Sequence, residues 1–382
     1  MNRIVKKWTI FAATLVLCAC GRSETMPELT HRVFSLARRQ LPALSRQLDR
    51  KHIATTFQAD TLTLAKPTRW VSGFLPGSLW LTYEYTGDEA VREAAWRETR
   101  KLKNLVSKKT HHDIGFQLMS SYGNAYRLTG DTSCVGILRA GAEKLAGRFD
   151  PSVGLTKSWE SGKRWGYPVI IDNMMNLELL TAWGDKDIAI AHARKTLKEH
   201  FREDGTCYHL VDYNPDGSVR LKQTVQGAED ESAWARGQAW ALYGYTMMFR
   251  ETAVDEFLAH AEKIARMLLE RLPEDGIPYW DFSRVGEERD ASAGAVMASA
   301  FVELSGLTGD EALSAACLGE AEKQLRTLAS SSYLAREGEI GGFLLKHSVG
   351  NKPKGSEVDV PLTYADYYFL EALLRYQKAS KE

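Results

Sequence analysis

The sequence has 382 residues, enough for one large domain or two ordinary ones. Its 49 basic and 49 acidic residues cancel, which removes the net field that a nucleic-acid or anionic-membrane binder would use. Beyond the N-terminal leader, Cys134, Cys207 and Cys317 lie too far apart for a disulfide framework or a metal motif, and they read as buried thiols.

The chain opens with an export signal. Arg3, Lys6 and Lys7 form a positive n-region, and the apolar stretch from Trp8 to Leu17 is too short to span a bilayer. The stretch Leu17-Cys18-Ala19-Cys20-Gly21 resembles a bacterial lipobox, which makes Cys20 the expected lipid anchor. Residues 1–20 are therefore read as a lipoprotein signal peptide, and contact with a membrane is expected only through that anchor. Gly21-Arg22-Ser23-Glu24 lacks an acidic surface-export run, so the mature chain is expected on the periplasmic side.

From residue 27 onward one pattern recurs. An apolar helical run ends in a turn such as Tyr85-Thr86-Gly87-Asp88, Leu128-Thr129-Gly130-Asp131, Trp183-Gly184-Asp185 or Leu307-Thr308-Gly309-Asp310, and an amphipathic helix follows. Glycine supplies the left-handed residue that stops one helix, and Asp or Thr caps the next. Glu251-Thr252-Ala253-Val254-Asp255 repeats the turn without its glycine. About twelve helices result, near 27–47, 76–85, 88–106, 114–128, 131–147, 173–183, 185–202, 232–250, 253–271, 291–306, 310–328 and 362–378. Helices after the turns carry one apolar stripe, as in Phe257, Ala261, Ile264, Ala265 and Leu268, whereas those before are apolar on most sides. Buried helices alternating with striped ones predict two concentric rings, an all-α (α/α)6 barrel spanning 27–382 as a single catalytic domain. No strand alternation and no linker interrupts it.

In that topology every long connection (48–75, 106–113, 148–172, 203–231, 272–290 and 329–361) falls on one end of the barrel, where long loops tend to be functional. Asp113 and Asp172 each close such a connection and precede an apolar helix, so each reads as a helix-start residue and both are brought to one mouth. The same connections carry Trp70, Phe74, His111, His112, Trp159, Trp165, Tyr167, His209, Gln226, Tyr279, Trp280 and His347. Aromatic side chains facing a cleft stack on the apolar faces of sugar rings; the alternative is that about half of these plug the barrel end. Ser232, Arg236 and Trp240 fall at i, i+4 and i+8 and are expected on one face at the start of an inner helix. A buried Arg236 needs an anion, either a ligand or one of Glu229, Asp230 and Glu231. The pair His111-His112 lacks further ligands at metal spacing, and no phosphate loop or serine nucleophile elbow is present, so no metal or cofactor is expected.

Trp70-x-x-x-Phe74, His112-Asp113-Ile114-Gly115-Phe116, Ile171-Asp172-Asn173-Met174-Met175-Asn176 and Trp234-Ala235-Arg236-Gly237-Gln238-Ala239-Trp240 together resemble the unsaturated glucuronyl hydrolases, glycoside hydrolase family 88. The resemblance runs from about residue 27 to the C-terminus. It implies an (α/α)6 barrel that removes the 4,5-unsaturated uronic acid left on glycosaminoglycan fragments by lyases. It further implies Asp172 as general acid/base and Asp113 as its carboxylate partner, with Trp70, Phe74, His112, Trp159, His209, Gln226, Arg236 and Trp240 in the sugar pocket. Some members recognise sulfate through Ser-x-x-Ser-x-Lys; the comparable stretch here, Ser348-Val349-Gly350-Asn351-Lys352-Pro353-Lys354, replaces the second Ser and shifts the Lys.

Three other readings stand beside this one. An unsaturated rhamnogalacturonyl hydrolase shares the barrel and chemistry but acts on pectin fragments, and the His112-Asp113 and Trp-Ala-Arg-Gly-Gln-Ala-Trp wording disfavours it. A sugar 2-epimerase would rely on histidines rather than paired Asp. A non-catalytic, lipid-anchored glycan-binding protein would use both carboxylates only as caps.

Overall fold

The computed structural model describes residues 24–108 and 111–380, so the leader and the expected anchor Cys20 lie outside the described residues. Helix α1 (Met26–Arg46) is started by a capping box in which the Thr25 hydroxyl accepts from Glu28 N and the Glu28 carboxylate accepts from Thr25 N. Then follow α2 (Phe74–Thr86) and α3 (Glu89–Arg100). The next rod is continuous through α4 (Ile114–Leu118), a π turn (Met119–Gly123) and α5 (Asn124–Thr129), and α6 (Ser133–Ala146) packs outside it. A 3-10 turn (Ile171–Asn176) leads into α7 (Leu177–Trp183), followed by α8 (Lys186–Glu199), α9 (Ala235–Thr252), α10 (Asp255–Arg271), α11 (Ala291–Ser305), α12 (Glu311–Leu328) and α13 (Thr363–Ala379).

Among the described residues these make twelve rods in two rings, the (α/α)6 barrel. The inner ring runs α2, α4–α5, α7, α9, α11 and α13, each touching the next, and α13 closes the ring on α2. In α11 every residue from Ala291 to Val302 is buried, whereas α10 buries only the stripe through Phe257, Ala261, Ile264 and Leu268. That difference is what ring position demands, because an inner helix has protein on all sides and an outer one faces solvent.

The inter-helix turns follow the expected chemistry only in part: α11 is capped by Gly306 at φ −86° rather than by Gly309, and neither α6 nor α10 has a side-chain cap. Gly87 and Gly130 take left-handed φ of 65° and 67°, and Ala253 takes the same role at 53° in the turn that lacks glycine. Asp88, Asp185 and Asp310 cap α3, α8 and α12 through their side chains. Gly184 is not left-handed; there a Cβ would meet the Ala142 Cβ at 2.9 Å, so the glycine answers a close approach of α6.

The expected absence of strands is corrected. Among the described residues, nine short strands form four small antiparallel sheets, all in the long connections: β1–β2 (Ile53–Gln58, Thr61–Ala65), β3–β4 (Phe149–Asp150, Leu155–Thr156), β5–β6–β7 (Tyr167–Ile170, Leu210–Tyr213, Val219–Gln223) and β8–β9 (Ser348–Asn351, Ser356–Val360). The three-stranded sheet zips two connections together through Tyr167↔Tyr213 and Ile170↔Leu210, so it fixes the approach to Asp172. Helix α3 also ends earlier than its apolar pattern, at Arg100, and continues as a 3-10 turn (Lys103–Ser107). Cys134, Cys207 and Cys317 are free and buried.

Candidate active site

Two motifs are packed directly on each other at the mouth. Gly115 leaves no room for a side chain, since a Cβ there would lie 2.5 Å from Asn176 Cα. Across that contact Phe116 N–H donates to Asn176 Oδ1 at 2.8 Å. The start of α4 and the 3-10 turn before α7 are thereby fixed together, and Asp113 and Asp172, one at each element's entry, face one cleft.

Neither aspartate uses its carboxylate as a helix cap. Asp113 occupies the N-cap position of α4 without a side-chain cap bond, and Asp172 lies inside the 3-10 turn, whose N-cap residue is Ile170. The carboxylates are differently partnered. Asp113 Oδ2 lies 2.7 Å from His111 Nδ1, and Oδ1 lies 3.4 Å from His112 Nε2. Burial works to raise Asp113, but the two imidazoles outweigh it and hold the group below the usual carboxylate range. Burial likewise opposes protonation of His111, yet the Asp113 bond keeps it above the ordinary imidazole value. His112 is fully enclosed and pushed down to about 4, so at neutral pH it meets Asp113 as a neutral ring.

Asp172 shows the opposite balance. Its residue is 8% exposed, its Oδ2 has no hydrogen-bond partner among the described residues, and burial followed by the negative charge of Asp113 pushes it up to about 7. His209 Nε2 lies 3.7 Å from that oxygen. The ring's Nδ1 accepts from Val225 N–H at 3.0 Å, so the neutral tautomer carries its proton on Nε2, facing Asp172. Burial holds His209 down to about 3, so the ring stays neutral.

The cleft has a volume of about 540 Å³, within the range for a small-molecule site. Trp70, His112, Asp113, Trp159, Asp172, Gln226 and Arg236 line it, as does His111. Phe74, Trp240 and His209 stand behind that wall. Phe74 is fully buried against Phe116, Tyr364 and Tyr367, so it supports Trp70 from below. Trp240 packs on Phe116 and Tyr368. Of the other aromatic candidates, Trp165 packs edge-on against Trp159 with ring centroids 5.3 Å apart, and Trp280 donates its indole N–H to Glu287.

A relative from Formosa agariphila named unsaturated glucuronyl hydrolase is 42% identical over 323 residues, covering 81% of this chain and 80% of the relative. The chain belongs to the unsaturated glucuronyl hydrolase family. An unsaturated chondroitin disaccharide hydrolase from Streptococcus pyogenes is 32% identical over 326 residues, covering 81% and 82%. The crystal structure of an unsaturated glucuronyl hydrolase specific for heparin superposes with a TM-score of 0.90 at 43% identity, covering 93% of this chain and 98% of that one. No family model matches the sequence. As an unsaturated glucuronyl hydrolase, the protein is a glycoside hydrolase rather than a sugar epimerase or a passive glycan binder.

Two details of the site differ from expectation. Ser232 precedes α9 rather than joining its first turn, and its hydroxyl donates to Asp281 Oδ2 at 2.6 Å, so it does not share a helical face with Arg236. Arg236 does find an internal anion, but it is Asp290 at 3.0 Å, not Glu229, Asp230 or Glu231. The same guanidinium donates to the carbonyls of Val349 and Gly350 and lies over the Trp234 ring. Gln226 Nε2 donates to the Gly350 carbonyl as well, so the two residues pin the β8–β9 hairpin over the mouth. Lys352 in that hairpin is held by Glu287 and Glu288. The anchoring roles of Asn176 and Asp290 are not legible in sequence; Asn176 lies inside the Ile171–Asn176 motif, but nothing in a linear pattern distinguishes it from a surface amide.

Proposed function

We propose that Asp172 is the proton donor in hydration of the C4=C5 bond of an unsaturated uronic acid at the non-reducing end of a lyase-generated glycosaminoglycan fragment. The carboxyl that burial and Asp113 hold up to about 7 carries this reading, because a general acid must be protonated near its working pH. Protonation delivers the Asp172 hydrogen to C4, and the ring oxygen shares the positive charge left at C5. Asp172, now a carboxylate, takes a proton from water as the hydroxyl adds to C5. The resulting hemiketal opens by breaking the C5–O5 bond, which leaves a ketone at C5 and a hemiacetal at C1 that releases the next sugar. Asp113 stays ionised beside His111 and makes loss of the remaining proton, the one on Asp172, costly, so the two carboxylates titrate as a unit. His209 offers its Nε2–H to the anion formed on Asp172. Trp70 and Trp159 supply ring faces for the sugar.

The substrate class is supported by the similar proteins, one specific for heparin and one named an unsaturated chondroitin disaccharide hydrolase. The conjugated C4=C5–carboxylate absorbs in the ultraviolet, and its decay on mixing with unsaturated glycosaminoglycan disaccharides is the direct assay. Absence of decay with every such disaccharide would sink the reading. Asp172→Asn is expected to abolish the decay while leaving substrate binding measurable by calorimetry. We also propose that the mature chain is anchored through Cys20 on the periplasmic side. No helix among the described residues is long and apolar enough to cross a membrane. Cys20→Ser should move the protein from the membrane fraction to the soluble one, and continued membrane association would refute the anchor.

A further inference from the structure

We propose that Lys66 and Arg69 form a subsite for a sulfate group on the sugar beyond the scissile bond. The proposal rests on the hydrolase reading and specifies its substrate. Both side chains line the cleft that contains Asp113 and Asp172, and both residues are exposed at its lip.

Arg236, which also lines the cleft, and Lys352 of the β8–β9 hairpin are already engaged by the protein. Arg236 is bound to Asp290 and two carbonyls, and Lys352 is bound to Glu287 and Glu288. Lys66 and Arg69 have neither an ion pair nor a side-chain hydrogen bond among the described residues. The field of Arg69 does reach Glu357, a mostly enclosed carboxylate that also feels Arg236 and that burial raises above its usual value. A protein anion is therefore not clamped onto either lip cation, and a cation so placed favours an anionic ligand.

The lip is also built to hold its shape. Arg69 N–H donates to the Lys66 carbonyl at 2.9 Å, a turn that brings the two residues together at its ends. The buried Gln117 amide donates to the Arg69 carbonyl at 2.9 Å and to Ser72 Oγ at 3.1 Å, tying the turn to α4. Trp70 follows immediately, packed on Tyr364 and Phe116 and partly exposed to the cleft, so a sugar laid on its ring presents substituents to Arg69.

Depth distinguishes the two anions a substrate can carry. The uronate's own carboxylate sits on the ring whose C4=C5 bond must reach Asp172, deep in the cleft at 8% exposure. An anion at the exposed lip belongs instead to the neighbouring sugar, where sulfate is the oxyanion that glycosaminoglycans carry.

The test compares wild type with the double variant Lys66→Gln/Arg69→Gln on one unsaturated disaccharide with and without sulfate. The ratio of kcat/KM for the sulfated over the unsulfated form should fall about ten-fold or more, chiefly through KM. In wild type the same ratio should fall as salt is added. An unchanged ratio in the variant overturns the proposal. So does an equal loss on both substrates, which assigns the pair to the uronate carboxylate or to the fold. Calorimetric titration of the sulfated disaccharide into Asp172→Asn, with and without the double change, reads the subsite without turnover and separates its failure from failure of the hydrolase reading. There the double change should weaken binding by a similar factor, and equal affinities would reject the subsite.

Discussion

Asp172 sits where its own electrostatics oppose the fold. An Asp has a pKa near 3.8 when unfolded and about 7 here, so between those values the folded chain retains a proton that the unfolded chain has released. Stability from this group is full below the unfolded value, falls as pH rises through about 7, and stays low above it; the rise corresponds to about 4 kcal/mol at most. Asp172→Asn removes the ionisation, so the variant should be more stable than wild type by on the order of 2 kcal/mol at about pH 8 and nearly equal to it at about pH 4, alongside its loss of turnover. Thermal unfolding at both pH values checks this, and a variant less stable at the higher pH would mean that the Asp172 anion is favourably held after all. Activity should decline as pH rises through about 7, because the acid form is lost. Asp113→Asn removes a negative charge that raises Asp172, so any residual activity should lose its alkaline limb at lower pH. A limb that stays in place would show that burial alone sets Asp172.

Arg236 illustrates the gap between a residue's type and its task at the scale of an element. An arginine on an inner helix near the mouth was legible as needing an anion, but Asp290 is 54 positions away and comes alongside only through the packing of α9 on α11. Because Arg236 also carries the Val349 and Gly350 carbonyls, it braces the β8–β9 hairpin, and its loss strands the buried Asp290. Arg236→Ala should therefore cost about 3–5 kcal/mol and make residues 348–360 more sensitive to protease, as well as weakening substrate binding. Adding Asp290→Asn should restore part of the stability, since the stranded charge is gone; no recovery would place the cost in the lost carbonyl bonds instead. The helices were legible because ring position imposes a pattern many residues long, all-round apolar in α11 and one-striped in α10. The sheets were not, because strands of two to six residues such as Phe149–Asp150 offer too few positions for alternation to stand out. The carboxylates were legible as pre-helix residues of one mouth, but the contact of Gly115 with Asn176 that locks their two elements together was not.

The whole barrel has two ends, and they are finished differently. At the end opposite the cleft, a cavity of about 450 Å³ is lined by Glu84, Arg127, Glu178, Arg250, Glu371 and Arg375, together with Tyr243 and Tyr367. Arg250 from α9 binds Glu178 on α7 at 2.5 Å and also Glu303 on α11, while Arg375 from α13 binds Glu303 at 3.1 Å. These pairs join four successive inner helices side by side, where closure of the ring by α13 on α2 leaves each helix dependent on its neighbours. Burial raises Glu178 even with Arg250 beside it, so without that partner its charge would be costly. Arg250→Met should destabilise the barrel by about 3 kcal/mol at neutral pH, with part of the loss recovered in acid as Glu178 takes up its proton. The exposed pair of Arg32 on α1 with Glu24 just before that helix, at 2.8 Å, is the contrast: Arg32→Met should cost well under about 1 kcal/mol. Urea unfolding of both variants measures the difference, and kinetics at saturating and limiting substrate test its reach. Since the network lies at the far end from Asp172, KM and kcat of folded Arg250→Met should match wild type. A shifted KM would instead couple the two ends through α9, which carries Arg236 near its start and Arg250 near its finish.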